Sequence, residues 1–368
     1  MSMTEPRAAP VERELAARAP VRIAGAADEL AAILSASLGA GYPAGASLSV
    51  VDQHGSLLRM TAGWSCVVDE RIPTSSETLY DLASLTKVVA TVPLCLMLAR
   101  RGAWTLDDPV VRWVPDFPRA DITLRRLLTH TSGLVPHREF FRLGRGEDVI
   151  RPAVFAEAID AAPGPVAYSD LNYILLGWAL ACCSGMPLDR LFAEAVAKPL
   201  GMSSAGFRPP AAMRERTAAT ELDGDQRLTP GLVWGEVHDG NAWALGGVSG
   251  HAGLFATVDD VSRFACSLLK PEGNPVLDAA WLREMTRQQA GSPPDVRALG
   301  WRLGATHWGA WPVKTYWHTG FTGTSLLVDP TSQIAVVLLT GGVHPVRRPD
   351  ELAALRCSVH HVVAAACR

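Results

Sequence analysis

Apolar residues near both ends of the chain follow spacings that predict alternating helices and strands. Residues 27–38 carry apolar side chains at helical spacing, and Gly39 follows as a stop signal. Strands are predicted at 46–51 and 56–61, joined by a turn at 52–55. Toward the other end, the pattern predicts strands at 314–317, 325–328 and 334–340, then a closing helix at 351–367.

The middle of the chain differs from the two ends. Residues 84–101 are apolar on nearly every side, which is typical of a helix buried all round. Beyond them, glycines and prolines often interrupt the sequence, and helices are predicted at 173–182, 188–196 and 258–270.

These patterns predict an α/β (α+β) fold with two interleaved parts. Residues 21–102 and 291–368 form a discontinuous α/β domain in which the two ends share one antiparallel sheet with helices. Residues 103–290 form an inserted, mainly helical domain, and the cleft between the two holds the functional site. Residues 1–20 are predicted to be a flexible arm, with one helical turn at 11–18.

Composition excludes several classes of function. The chain has 368 residues, of which 48% are hydrophobic and 19% charged, enough for a sizeable core. A formal net charge of -3 gives no basic surface for nucleic acid. The 7 cysteines include no C-x-x-C pair, so free thiols are expected rather than a zinc or redox site.

The N-terminal residues do not resemble a secretion signal. Glu5, Glu12 and Glu14 and several prolines interrupt residues 1–20, whereas a signal needs a basic start and an apolar run. The longest apolar run, at 88–98, is too short to cross a bilayer. We therefore expect a cytoplasmic protein without a membrane partner. No pattern predicts its oligomeric state.

Ser84-Leu85-Thr86-Lys87 places a serine and a lysine three residues apart, on one face of a helix. A serine hydroxyl is a weak nucleophile until a base takes its proton, and a buried lysine with a lowered pKa can be that base. N–H groups at the start of the helix would stabilise an oxyanion. Taken alone the tetrad is a weak signal, and a solvated serine and lysine is the ordinary alternative.

Two later segments carry further candidate residues. Tyr168 precedes a predicted helix and could relay a proton, although Asp170 in the same segment could simply cap that helix. His318-Thr319-Gly320 ends a predicted strand, where Gly320 lets the backbone lie close to a substrate. The N–H of Phe321 could then pair with that of Ser84 to bind an oxyanion. A packed or surface histidine is the alternative for His318.

In this order, the three segments resemble the motifs of the penicillin-recognising serine enzymes. The resemblance is strongest to the class C β-lactamase-like branch, which includes β-lactamases, D-alanyl-D-alanine peptidases, β-lactamase-type esterases and acyltransferases. It covers most of the chain from about residue 25, and similar stretches lie at 81–83, 127–134, 246–255 and 318–328. It implies a β-lactamase/transpeptidase-like fold, with an antiparallel sheet flanked by helices and an inserted mainly helical domain.

The resemblance also implies roles for individual residues. Ser84 would be acylated, Lys87 and Tyr168 would share the base and acid work, and the Ser84 and Phe321 N–H groups would form the oxyanion hole. His318 would take the position of the third-motif lysine, and with Asp170 and Gly320 it would contact the substrate. Neither a metal nor a cofactor is implied.

Two positions depart from the β-lactamase pattern. Asp170 stands where an asparagine is common, and a carboxylate cannot donate to a substrate amide. His318 replaces a lysine, and a neutral histidine binds a carboxylate less well. Both changes favour an ester or neutral amide over a β-lactam or a peptide that ends in a carboxylate.

The leading hypothesis is a serine hydrolase that forms an acyl-enzyme on Ser84 and cleaves an ester or amide of a small molecule. Four alternatives remain at this point: an acyltransferase of a biosynthetic pathway, a D-alanyl-D-alanine peptidase, a β-lactamase, and a non-catalytic binding protein on the same fold. The expected partner is a small-molecule ester, amide or acyl donor.

Overall fold

The computed structural model describes residues 11–68, 70–158 and 162–368. Its strands are β1 (Glu12–Leu15), β2 (Gly45–Asp52), β3 (Gly55–Cys66), β4 (Ile72–Pro73), β5 (Tyr80–Asp81), β6 (Gly206–Phe207), β7 (Leu254–Ala256), β8 (Ala290–Ser292), β9 (Asp295–Arg297), β10 (Arg302–Leu303), β11 (Tyr316–Thr319), β12 (Ser325–Asp329) and β13 (Ile334–Thr340).

The α-helices are α1 (Val21–Gly39), α2 (Val92–Arg100), α3 (Leu124–Leu128), α4 (Glu147–Ala156), α5 (Asp170–Ser184), α6 (Leu188–Phe192), α7 (Lys198–Leu200), α8 (Gly240–Ala244), α9 (Val258–Leu269), α10 (Ala279–Thr286) and α11 (Pro349–Ala366). Two π-helical turns, Lys87–Thr91 and Ala193–Ala197, lead into α2 and α7, and short 3₁₀ turns lie at Val110–Arg112, Phe140–Arg142, Ala211–Arg216 and Thr306–Trp308.

The large sheet joins the two ends of the chain, as the sequence predicts. Its strand order is β1-β3-β2-β13-β12-β11-β10-β9-β8, with β4 paired to β3, and every pairing is antiparallel. Residues of β2 and β13 pair directly, as Val50 does with Val336. The first strands of the chain therefore pair with its last strands in one sheet.

Apolar clusters cover both faces of this sheet. In β13, Val336 and Leu338 belong to a cluster with α1 and α11, whereas Val337 and Leu339 belong to the cluster on the opposite face. Because side chains alternate along a strand, a strand buried on both faces is apolar throughout, and all of β13 is buried.

The second cluster continues from the sheet into the middle of the chain. It includes buried apolar residues of α2 and α5 as well as Val51 of β2, and α9 packs against β2 and β13.

The predicted limits of an inserted domain at 103 and 290 stay a prediction. Among the described residues no single helix is long and apolar enough to cross a membrane, and only α5 taken together with Leu188–Leu200, a bent pair, reaches that length and composition.

Two predicted elements differ in the structure. The helical turn expected at 11–18 is wrong, because residues 12–15 form β1 along the edge of β3, where backbone pairing satisfies both strands. The rest of the predicted arm, residues 1–10, lies outside the described residues. The helix expected at 84–101 is present over 85–100, but it contains a π-helical turn at Lys87–Thr91 that the pattern does not predict.

A small second sheet positions the Ser84 turn. Its strands follow the order β5-β7-β6, so that Asp81 of β5 pairs with Phe255 of β7. The Leu254 carbonyl accepts the Leu82 N–H at 2.9 Å, two residues before Ser84. The 246–255 stretch is thereby fixed beside the start of the buried helix.

Candidate active site

Ser84 lies in a strained turn at the start of the buried helix. Its predecessor Ala83 has a φ of 47°, in the left-handed region that non-glycine residues seldom occupy. The buried Asp81 carboxylate holds this turn by accepting the Ala83 N–H at 2.8 Å and the His238 N–H at 2.6 Å. Strain of this kind persists where surrounding contacts fix it, commonly at functional sites.

Lys87 points its amine directly at Ser84. Lys87 is completely buried, and its Nζ donates to Ser84 Oγ at 2.8 Å and to the His251 carbonyl at 3.0 Å. Asp170 Oδ1 lies 2.8 Å from the same nitrogen, as an ion pair. The three-residue spacing therefore brings serine and lysine together, as predicted.

The charge on Lys87 differs from the sequence-based expectation. Burial alone would lower the pKa of Lys87, but the neighbouring Asp170 carboxylate and Tyr168 phenol raise it above that of a free lysine. Burial would likewise raise the pKa of Asp170, but the Lys87 charge and the His137 contact hold it well below its usual range. The lowered lysine pKa predicted from the sequence is wrong because the tetrad does not reveal the carboxylate beside it.

Tyr168 completes the group around Ser84. Its side chain makes hydrogen bonds with Lys87 and Ser84, and burial raises its pKa despite those bonds and the Lys87 charge. The phenol is therefore protonated at neutral pH. The segment that carries it is fixed by the 127–134 stretch, since the Ala167 N–H donates to the His130 carbonyl at 2.8 Å.

His130 is a positioning residue that sequence reasoning missed. It is fully buried, has a φ of 57°, and its ring centre lies 4.5 Å from that of Tyr168. Its Nδ1 accepts the Ser169 N–H at 3.1 Å and lies 3.3 Å from Asn172 Nδ2, so Nδ1 carries no proton. Burial lowers the pKa of His130 well below its usual value, so the ring is neutral.

The third motif lies across from this group at the end of β11. A Cβ on Gly320 would lie 2.5 Å from the Leu82 carbonyl oxygen, so only glycine fits there. Thr322 and Thr324 donate their hydroxyls to the Asp81 and Leu82 carbonyls at 2.7 and 3.0 Å. Burial, followed by the Lys87 and Arg297 charges, lowers the pKa of His318 to about 3, so this histidine is neutral.

The two N–H groups predicted to bind an oxyanion are available. Among the described residues, neither the Ser84 N–H nor the Phe321 N–H has a hydrogen-bond acceptor within the protein. Both residues line the cavities that meet at Ser84. Unpaired donors beside a nucleophile are what an oxyanion hole requires.

Two cavities open on either side of Ser84 and Tyr168. The first, of about 270 Å³, is lined by Ala83, Ser84, His137, Tyr168, Asp170, Gln226, His238, Asp239, Ala252 and Phe321. The second, of about 390 Å³, is lined by Ser84, Tyr168, Arg297, Arg302, Trp317, His318, Thr319, Gly320, Phe321, Arg347, Pro349, Leu352 and Arg356.

The second cavity is strongly cationic. Asp295 lies 2.7 Å from Arg297 and 3.2 Å from Arg302, whereas Arg347 and Arg356 have no carboxylate within 4.0 Å among the described residues. Arg356 donates instead to the Gly320 and Thr324 carbonyls, both at 2.8 Å. Sequence reasoning missed these arginines because they come from separate segments.

Among the described residues, no three His, Cys, Asp or Glu side chains are grouped so that they could hold a metal ion.

Comparison with known proteins identifies the family of this chain. The model of the Beta-lactamase family matches residues 30–359. The chain belongs to the Beta-lactamase family. The resemblance predicted from the three motifs is therefore confirmed, and most of the chain is covered.

A curated relative from Salmonella agona (strain SL483) is 30% identical in an alignment of 360 positions, gaps included, that covers 84% of this chain and 81% of the relative. It is named "Putative D-alanyl-D-alanine carboxypeptidase". The chain therefore resembles a member of the family whose name refers to a peptidase.

Solved structures support the β-lactamase/transpeptidase-like fold. EstCE1, described as a hydrolase with promiscuous acyltransferase activity, has a TM-score of 0.75 at 20% identity. The match covers 94% of this chain and 100% of the EstCE1 chain. Simvastatin synthase from Aspergillus terreus has a TM-score of 0.72 at 19% identity. The match covers 92% of this chain and 98% of the synthase. At these identities the likeness shows the fold, and the predicted fold class is confirmed.

Proposed function

We propose that this member of the Beta-lactamase family is a serine hydrolase that forms an acyl-enzyme on Ser84. The observation that carries the proposal is the 2.8 Å hydrogen bond from buried Lys87 Nζ to Ser84 Oγ, beside two unpaired N–H groups. Unpaired N–H groups beside a serine hydroxyl suit a developing oxyanion, which a non-catalytic binding protein would not form.

The reaction has two steps. The Ser84 hydroxyl oxygen attacks the carbonyl carbon while the Ser84 and Phe321 N–H groups stabilise the oxyanion. Collapse of the tetrahedral intermediate expels the leaving group, which takes a proton from the Tyr168 phenol. Lys87 reprotonates Tyr168, and the Ser84 proton, released as the Oγ–H bond breaks, replaces the one that Lys87 gave. Water then attacks the acyl-serine by the same route in reverse and regenerates Ser84.

For the substrate we propose an ester or amide of a small molecule whose leaving group carries an anionic group. From the sequence, only His318 is considered as a residue that could bind a substrate carboxylate, and this histidine is neutral. Arg297, Arg302, Arg347 and Arg356 line the same cavity and supply the positive charge that His318 lacks. Guanidinium groups are well suited to carboxylates because they can bind both oxygens.

A D-alanyl-D-alanine carboxypeptidase activity is the second candidate. A peptide ending in a carboxylate has the leaving group that the arginine-lined cavity suits, and the relative from Salmonella agona bears the name of such an enzyme. Asp170 in place of an asparagine still favours esters over amides, since it cannot donate to a substrate amide. Acyl transfer needs only that an acceptor other than water reaches the acyl-serine.

A fluorophosphonate probe tests the proposed nucleophile without knowledge of the substrate. Wild type is expected to be labelled at Ser84, whereas Ser84→Ala should not be labelled and Lys87→Ala should be labelled at least about 10²-fold more slowly. Equal labelling of wild type and Ser84→Ala would overturn the proposal.

A matched pair of substrates tests the leaving-group preference. An acyl D-lactate, whose leaving group carries a carboxylate, is compared with the same compound methylated on that carboxylate, in which the charge is removed. We expect kcat/KM about tenfold or more higher for the charged substrate at low salt, because its carboxylate can reach the arginines. Equal or faster cleavage of the methyl ester would contradict the proposed preference.

A further inference from the structure

The second cavity beside Ser84 holds more positive charge than one carboxylate would neutralise. Its lining includes four arginines: Arg297, Arg302, Arg347 and Arg356. None of the described residues that line it is an aspartate or a glutamate. Among the described residues, one carboxylate, that of Asp295, lies within 4.0 Å of these four guanidinium groups, so three positive charges have no anionic partner.

Two of the arginines are held by aromatic rings of the same cavity. The guanidinium carbon of Arg302 lies 4.8 Å from the centre of the Trp317 ring, and that of Arg347 lies 4.2 Å from the centre of the Phe321 ring. A guanidinium group over a ring keeps its N–H groups in its own plane, where they can bind an anion. The rings therefore position these cations without neutralising them.

The other two arginines are more deeply placed. Arg297 is 4% exposed, and its Nε and Nη2 face Asp295 at 2.7 and 3.2 Å. Arg356 donates only to the Gly320 and Thr324 carbonyls, which are neutral, and its buried Nε has no hydrogen-bond partner among the described residues. A buried charge without an anion is costly, so both groups favour an anionic ligand in this cavity.

The arginines also repel one another. Burial, followed by the Arg297 charge, lowers the pKa of Arg302. Burial lowers the pKa of Arg356 to about 10, and the Arg347 charge acts in the same direction. Both groups remain cationic at neutral pH, so an anion bound between them would relieve the repulsion.

Acidic residues at the start of α11 do not provide that anion. Asp350 and Glu351 lie in its first turn, but both are exposed and neither lines the cavity. Glu351 instead lies 3.3 Å from Arg348, which is also outside the lining.

We propose that the second cavity binds a leaving group with two negative charges, either a phosphate monoester or a pair of carboxylates. This inference rests on the function proposed above and deepens it. A single carboxylate would neutralise one of the three unpartnered charges, whereas a dianion neutralises two and can bridge guanidinium groups that come from separate segments. A cavity of about 390 Å³ has room for such a group next to Ser84.

Binding of small anions to wild type tests the charge preference without any turnover. Methyl phosphate, a dianion at about pH 8, is compared with dimethyl phosphate, which carries one charge, and malonate is compared with monomethyl malonate. By calorimetry at one low ionic strength, we expect Kd to be about tenfold or more lower for the dianion. A preference in the first pair alone identifies a phosphate, one in the second pair alone identifies two carboxylates, and one in both identifies charge alone.

Variants assign the preference to the cavity. The double variant Arg302→Met/Arg347→Met removes two of the unpartnered charges and should bind the dianion and the monoanion about equally. Arg348→Met removes a neighbouring arginine that lies outside the cavity, so it should keep the wild-type preference. Circular dichroism checks folding, and the wild-type comparison decides if the double variant does not fold.

A pair of esters tests whether the dianion is the leaving group. O-acetyl-D-malate differs from O-acetyl-D-lactate by one more carboxylate on the leaving group, and the acetyl ester of 2-hydroxyethyl phosphate is compared with its methyl phosphodiester. We expect kcat/KM to be about tenfold or more higher for the dianionic member of the pair that the binding experiment favours. If no ester is turned over, the binding comparison alone decides.

Three results would overturn the inference: equal or tighter binding of the monoanion in both pairs, a full dianion preference in the folded double variant, or equal kcat/KM within both ester pairs. Absence of fluorophosphonate labelling at Ser84 would instead overturn the proposed function. Anion binding does not depend on that reaction, so the two failures are distinguishable.

Discussion

Gly320 packs against Leu82 so closely that a Cβ at position 320 would lie 2.5 Å from the Leu82 carbonyl oxygen. This contact joins the end of β11 to the turn that carries Ser84. It sets the distance between the two N–H groups of the proposed oxyanion hole, because Phe321 follows Gly320 and Ser84 lies two residues after Leu82. A change at this one contact therefore acts on the site through geometry.

We expect Gly320→Ala to push the two segments apart. Overpacking of this kind costs about 1–3 kcal/mol of unfolding free energy, and a displacement near 1 Å costs on the order of 10² in rate. Urea unfolding and kcat/KM measure the two effects. Gly304→Ala, at a glycine with no atom within 4 Å of an added Cβ but a φ of 70°, controls for backbone strain alone and should spare activity. Full activity in Gly320→Ala would contradict the close approach.

Removal of the Tyr168 hydroxyl should lower activity with little effect on folding. Tyr168→Phe keeps the ring that lies 4.5 Å from the His130 ring, but it loses the proton carried to the leaving group. We expect kcat to fall by about 10²–10⁴-fold for an amide, and by less for a p-nitrophenyl ester, whose leaving group needs no proton. Steady-state kinetics with both substrates checks this, and an equal loss for both would argue against the acid role.

The cationic cavity should distinguish charged from neutral substrates. Arg347 is exposed, and its guanidinium lies 4.2 Å from the centre of the Phe321 ring without a carboxylate partner among the described residues. Arg347→Ala is expected to raise KM for the acyl D-lactate about threefold to tenfold and to leave KM for its methyl ester nearly unchanged. The contrast should shrink at high salt. Equal changes for both substrates would show that Arg347 does not interact with the charge.

Buried neutral histidines should make the protein less stable in mild acid. Burial, with Arg356 and His307, lowers the pKa of His360 to about 3 from its ordinary value of 6.5. A depressed pKa contributes stability that is present above pH 6.5 and is lost as the pH falls toward 3. The loss for one such histidine is on the order of 1–3 kcal/mol between pH 6.5 and 4.

Urea unfolding at several pH values measures this dependence. His360→Gln cannot titrate, so its unfolding free energy should fall less steeply from pH 7 to 4 than that of wild type. His361→Gln, at the exposed neighbouring position, is the matched control. An identical slope for wild type and His360→Gln would contradict the assignment.

Much of the fold is readable in the sequence because local patterns decide it. The prediction of a strand at 334–340 is confirmed by β13, since a strand buried on both faces is apolar throughout. The Ser84–Lys87 pairing is equally local, because one helical turn brings the two side chains together. Resemblance to known motifs adds Tyr168 and Gly320, which the structure places at the same cavity.

The remaining features depend on contacts between distant segments. Asp170 and Lys87 meet only because α5 packs beside the start of the buried helix, and no spacing rule predicts that ion pair. The same holds for Arg302 and Arg356, which reach one cavity from β10 and α11. Sequence reasoning therefore predicts the Ser84–Lys87 pair, but it misjudges the charge of Lys87 and does not predict the arginines that line the second cavity.

The central claim is a covalent acyl intermediate on Ser84, and intact-protein mass spectrometry tests it most directly. Wild type and Ser84→Ala are each mixed with a panel of p-nitrophenyl esters and acyl D-lactates and quenched in acid within seconds, and their intact masses are measured. Wild type should gain the mass of one acyl group, which peptide analysis should locate on the peptide that contains Ser84. Ser84→Ala should gain none. Substrate turnover by Ser84→Ala at the wild-type rate, or an acyl group on another residue, would contradict the claim.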